Sequence, residues 1–175
     1  MHKIRTLCAI KLFILLSLKR IFRNFAKNKK IQTIITINEL QDEVIEEFSA
    51  FDDWMDKYQM LIDLGNELEP LDEKCKTEQN LIDGCQSRVW LQADYHDGLI
   101  EYAAESDALI VKGIIALLIR VVSGHTPQEI LDADLYFIDQ IGLKDHLSPT
   151  RSNGLLAMMK QMKAYALAFK TKETM

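Results

Sequence analysis

The chain has 175 residues, 48% apolar and 27% charged, with a formal net charge of −5, a globular composition with material for one core. The charge is unevenly spread: residues 1–37 hold nine Lys or Arg and no acid, and the other 138 hold 12 basic against 26 acidic groups. A domain at −14 repels phosphate backbones, which excludes nucleic acid as its partner.

The basic segment, residues 1–37, reads as an extension outside the fold, and residues 38–175 as the folded domain. "CAIKLFILLSL" (8–18) is an apolar run interrupted by Lys11, shorter than the ~20 residues a spanning helix needs. Its basic flank resembles a secretory signal, but "KRIFRNFAKNKK" follows where a small-residue cleavage site belongs. An extension with no folded role, an interfacial amphipathic anchor and an export signal all stay open. The domain holds two cysteines, Cys75 and Cys85, and no disulfide framework, which points to a reducing cytoplasm.

"NELQDEVIEEFSAF" predicts the first helix, with Asn38 as N-cap, Gln41 completing a capping box, and Leu40, Val44, Ile45 and Phe48 on one face. "DDWMDKYQMLIDLGNEL" predicts a second, striped by Trp54, Tyr58, Leu61 and Ile62 and stopped at Gly65. Pro70 opens a polar connection. From Arg88 the period becomes two: "RVWLQADYHDGLIEYAAES" predicts two strands joined at His96-Asp97-Gly98. "SDALIVKGIIALLIRVVSG" predicts a broad-faced helix capped by Ser106 or Asp107 and ended by Gly124. "HTPQEILDAD" predicts a short helix with Thr126 as N-cap, Pro127 at its first position and Glu129 closing the box. "SPTRSNGLLAMMKQMKAYALAFK" predicts a long final helix carrying Leu155, Met158, Met159, Met162, Tyr165 and Leu167. Helices, a small antiparallel sheet, then helices make an α+β domain.

The sequence has no phosphate-binding glycine loop, no G-x-S-x-G turn and no H-E-x-x-H. Cys75 and Cys85 form no C-x-x-C, so a zinc site would have to gather His96, His125 and His146 from separate turns. The remaining chemistry is a thiol. In "NLIDGCQSRVW" Cys85 stands between Gly84, which frees the backbone, and Gln86 and Ser87, which are polar without bulk. Such a loop presents a nucleophilic sulfur, whose thiolate a nearby cation would favour. It equally describes a cysteine half-buried at a strand entrance.

"NLIDGCQSRVW" resembles the segment around the persulfide cysteine of the SufE family, sulfur-acceptor proteins that partner cysteine desulfurases in iron–sulfur cluster assembly. "SDALIVKGIIALL", "TPQEIL", "GLKDHLSPTRSNGL" and the closing helix resemble further family segments in the same order, over about residues 38–170. The resemblance implies a compact α+β fold, a small antiparallel sheet flanked by helices, similar to IscU-type scaffolds. It implies that Cys85 takes sulfur from a desulfurase persulfide and passes it to a downstream iron–sulfur scaffold. Gly84, Gln86 and Ser87 would form the supporting loop. Arg151 falls in another family motif, and Asp107 falls where the partner-facing region begins, unless it serves as the helix cap. The resemblance implies no cofactor in this chain, because the pyridoxal phosphate belongs to the desulfurase, and gives no role to a membrane. Cys75 has no counterpart in the motif. Two readings from other classes stay open: a docking adaptor that activates the desulfurase while Cys85 merely packs, and a stand-alone thiol hydrolase using His96, His125 or His146 as base.

Overall fold

Thr36, in extended conformation, begins the first helix: its hydroxyl accepts from Glu39 N at 3.2 Å while the Glu39 carboxylate takes Thr36 N at 2.8 Å. That reciprocal pair satisfies two otherwise orphaned donors and caps α1 (Ile37–Ser49) at Thr36, two residues before the expected cap at Asn38. T-x-x-E and N-x-x-Q overlap here, and the hydroxyl–carboxylate pair prevails because its acceptor is ionised. The structure, a computed structural model, describes residues 35–173. The readings of the basic segment therefore lie, as far as residue 34, outside the described residues. Gln41, the expected box partner, is instead fully buried, donating to Asp134 O at 3.0 Å and accepting from Phe137 N at 3.2 Å.

Asp53 caps α2 (Trp54–Glu67), its carboxylate accepting from Met55 N. Gly65 does not end this helix. A Cβ on Gly65 would lie 2.8 Å from Gly113 N, and one on Gly113 would lie 2.1 Å from Leu61 O. The two glycines let the α2 backbone touch that of α3 (Leu109–Val122), and that contact takes precedence over a helix stop.

In the chain, the hairpin lies between these two helices. Strands β1 (Val89–His96) and β2 (Leu99–Ser106) pair antiparallel from Val89↔Ser106 to His96↔Leu99. The Asp97-Gly98 turn has φ of 54° and 84°, the left-handed pair that a two-residue hairpin requires. Alternation then puts Val89, Leu91, Ile100, Tyr102 and Ala104 on the buried face. One edge is extended by a bridge from Leu81 to Trp90, and the other by one from Ile100 to His125.

The sheet has two strands, and helices supply the rest of the core, so the domain is α+β as expected. Helix α3 runs through the middle, apolar on nearly every side. Its Arg120, 8% exposed, forms a bidentate pair with Glu47 of α1 at 2.6 and 2.8 Å and a longer contact with Glu43. Thr126 and Glu129 cap α4 (Pro127–Asp132) as expected, and α5 (Phe137–Gln140) follows. The last helix, α6 (Pro149–Glu173), buries Leu155, Met158, Met162 and Ala166. Leu167 is 57% exposed, one residue off that stripe. Among the described residues no helix is long and apolar enough to cross a membrane, and no group of three or more His, Cys, Asp or Glu could hold a metal.

Candidate functional site

The site grows out of the hairpin's entrance. Ile82 N donates to Val89 O at 2.8 Å and Leu91 N to Asn80 O at 2.8 Å. These bonds close residues 83–88 into a six-residue loop, with Cys85 near its apex. Asn80 is held in turn by Tyr165 of α6, whose hydroxyl lies 3.4 Å from Asn80 Oδ1 and donates to Leu91 O at 3.1 Å. Asn80 Nδ2 also donates to Cys75 O at 2.8 Å. The base of the loop is thus anchored to a long helix, while its tip is held by little.

Asp107 holds the loop's exit. Its carboxylate accepts from Arg88 N at 3.1 Å, and its own N–H reaches Arg88 O at 3.4 Å. The expected capping role at α3 is not observed: the helix has Ala108 at the N-cap with no side-chain hydrogen bond, and Ser106 Oγ accepts from Ala108 N outside the helix. Asp107 turns toward the loop because the neighbouring strand offers a backbone donor there.

Gly84 has φ +88°, which permits the loop's reversal just before the cysteine. Cys85 is half-buried, and its Sγ donates to Gly154 O of α6 at 3.6 Å. Burial pushes the thiol's pKa up from its ordinary value, since removal from water disfavours the thiolate. The contact with Gly154 O is a hydrogen bond only through the thiol's proton, and burial favours that protonated form. Gln86 is exposed and Ser87 half-buried. Arg151 is exposed in the first turn of α6, three residues before Gly154, and forms no ion pair among the described residues. The helix therefore brings Arg151 to the same end of the domain as the cysteine loop.

The three histidines among the described residues are elsewhere. His96 is exposed at the far end of the hairpin, His125 is buried with Nδ1 3.2 Å from Ser123 O, and His146 stacks on Trp54 at 3.7 Å between ring centroids. None lies within hydrogen-bond distance of Cys85 Sγ. Cys75, also a free thiol, sits half-buried in a single 3₁₀ turn, Glu73–Cys75.

Sequence reasoning missed Gly154 and Ala157, on which the loop rests. A Cβ on Gly154 would lie 3.3 Å from Cys85 Sγ, and one on Gly84 would meet Ala157 Cβ at 3.8 Å. The available signal was an isolated glycine inside the apolar period of "RSNGLLAMM". Also missed was the strap before the loop. Lys76 Nζ bridges Glu73 at 2.6 Å and Glu105 at 2.9 Å, and Glu105 accepts from Leu71 N at 3.1 Å.

Comparisons with known proteins agree on this architecture. The family profile described as "SufE: Fe-S metabolism associated domain" matches residues 42–166. An uncharacterized SufE-like protein of Synechocystis is 40% identical over 126 residues, 72% of this chain and 79% of that one. Another, of Rhizobium meliloti, is 38% identical over 130 residues, 71% of this chain and 93% of that one. The solution structure of a hypothetical protein from Thermus thermophilus superposes with a TM-score of 0.64 at 22% identity, covering 75% of this chain and 96% of that one, and so shares the fold. A family match across most of the folded region, with relatives near 40% identity, makes the chain a member of the SufE family, whose domain is associated with iron–sulfur metabolism.

Proposed function

We propose that the protein accepts sulfur from a cysteine desulfurase onto Cys85, stimulates that enzyme's turnover, and delivers the sulfur to an iron–sulfur cluster scaffold. The observation that carries this reading is the placement of Cys85: a free thiol near the apex of a short loop, firmly anchored at its base and held at its tip, among the described residues, by one weak sulfur bond. A sulfur that must enter another protein's cleft needs that combination. Membership in a family tied to iron–sulfur metabolism supports it.

The chemistry is thiol–persulfide exchange. The Cys85 thiolate attacks the outer sulfur of the donor's persulfide, a new sulfur–sulfur bond forms as the old one breaks, and the donor leaves as a thiolate. The proton Cys85 releases balances the one the donor thiolate takes up, with no net oxidation. Burial raises the resting thiol's pKa, so leaving the loop's seat restores its acidity toward the free value and couples activation to docking. The pyridoxal cofactor is the desulfurase's. Gly84, Gln86 and Ser87 form the loop's rim, Asp107 sets its exit, and Arg151 offers an exposed cation to the partner. The setting is the cytoplasm, whose reducing poise keeps Cys85 a thiol.

The test is mass spectrometry after incubation with a desulfurase and free cysteine. One added sulfur on Cys85, absent in Cys85→Ser along with stimulation, is the expected result. Stimulation with no sulfur on Cys85, or by Cys85→Ser, leaves only an adaptor. Hydrolysis of thioesters by the protein alone would instead support an enzyme, a reading weakened by the placement of His96, His125 and His146 away from the thiol.

A further inference from the structure

Gly154 occupies an interior position of α6, where glycine is the least favourable residue after proline. It is buried, and the space a side chain would fill is taken by Cys85 Sγ. Three residues on, the half-buried Ala157 lies beside Gly84 more loosely, its Cβ 3.8 Å from where a Cβ on Gly84 would stand. These positions share a helix face and form a shallow seat for the loop, with the Gly154 carbonyl as the acceptor at its floor.

We propose that this seat distinguishes unloaded from loaded Cys85, holding the thiol and expelling the persulfide, with Gly154 as the positioning residue. The inference rests on the sulfur-acceptor reading and adds its regulation. A thiol has a proton to donate to Gly154 O. A persulfide is more acidic than its parent thiol, so the terminal sulfur carries a negative charge and faces the carbonyl oxygen as one acceptor against another. Geometry acts in the same sense. With Sγ 3.6 Å from Gly154 O, a second sulfur bonded about 2.05 Å further along that line would stand only about 1.5 Å from the oxygen. The added atom cannot replace the proton: it must turn away from the carbonyl about the Cβ–Sγ bond, the bond to Gly154 O is lost in any rotamer, and the loop's hold on its seat goes with it. Loading thereby commits the loop to an outward state suited to delivery, and unloading returns it.

The test uses the full chain with Cys8→Ser and Cys75→Ser, so that Cys85 is the sole thiol, loaded by inorganic polysulfide to one added sulfur by mass. Amide hydrogen exchange is followed across residues 82–89, which include the Ile82 and Arg88 donors that tie the loop down. Loading is expected to speed exchange there roughly three- to tenfold, the change expected from losing one net hydrogen bond. Unloaded Gly154→Ala is expected to show the same acceleration, with no further gain on loading, whereas a merely structural glycine would leave the loading effect intact. Unchanged exchange on loading overturns the proposal, as does a full loading response in Gly154→Ala. Should that variant fail to fold, the loaded and unloaded parent chains decide the matter alone. Because the sulfur is inorganic, a desulfurase that leaves Cys85 unmodified would remove the acceptor role without touching this result.

Discussion

Asp107→Ala removes the carboxylate that accepts from Arg88 N at 3.1 Å and leaves the longer Asp107 N to Arg88 O contact in place. A hydrogen bond to an ionised acceptor contributes about 1.5–3 kcal/mol where buried. Asp107 is exposed, so water replaces much of it, and about 1 kcal/mol is the working value. That shifts the closed-to-open equilibrium of the cysteine loop about fivefold, since 1.36 kcal/mol is tenfold. The assay is alkylation of Cys85 by iodoacetamide at neutral pH in the chain lacking Cys8 and Cys75. When opening is fast, the rate tracks the open fraction. Asp107→Ala should react about five times faster than the parent, while Asp107→Asn, which keeps an acceptor oxygen, should stay within about twofold of it. The thermal midpoint should hardly move, because the opening is local. An alanine variant at the parent rate, or an asparagine variant as fast as alanine, refutes the clamp.

Gly113→Ala places a methyl group where Leu61 O stands 2.1 Å away, so α2 and α3 must separate. A loss of about 3 kcal/mol or more in urea unfolding is expected, and an unchanged midpoint would deny the backbone contact. Glu105 has its carboxyl held below the ordinary range, first by the Lys76 hydrogen bond and also by Leu71 N. Its contribution is therefore complete above the unfolded carboxylate value of about 4.3 and is lost as pH falls through the lower folded value. Glu105→Gln should cost about 1 kcal/mol at neutral pH and progressively less toward pH ~3. A difference that stays constant between those conditions would show that charge has no part in it.

Local chemistry was legible where one pattern had no competitor. The Asp97-Gly98 hairpin and the Thr126–Glu129 cap stand where alternation and box spacing put them. The cap at Asn38 was misplaced because a better pair overlapped it two residues upstream. Gly65 was misread as a stop because its reason for being glycine is Gly113, on another helix. In the candidate site, the loop placement of Cys85 was legible from its own neighbours, since Gly84 marks the backbone reversal. Its seat was not, because Gly154 lies 69 residues away and meets the sulfur only in the folded chain. Asp107 was singled out, but its role as the loop's clamp depends on a strand-end amide that no local pattern reveals.

The closure at Ile82 and Val89 also fixes how far the sulfur can be carried. Cys85 is the third residue beyond Ile82, and a fully extended chain advances about 3.3–3.6 Å per residue, so its Cα swings no more than about 11 Å from that anchor. The hairpin is a tether of set length. A recipient whose reactive atom lies deeper than such a tether plus one side chain is out of range until the first rungs of the ladder unzip.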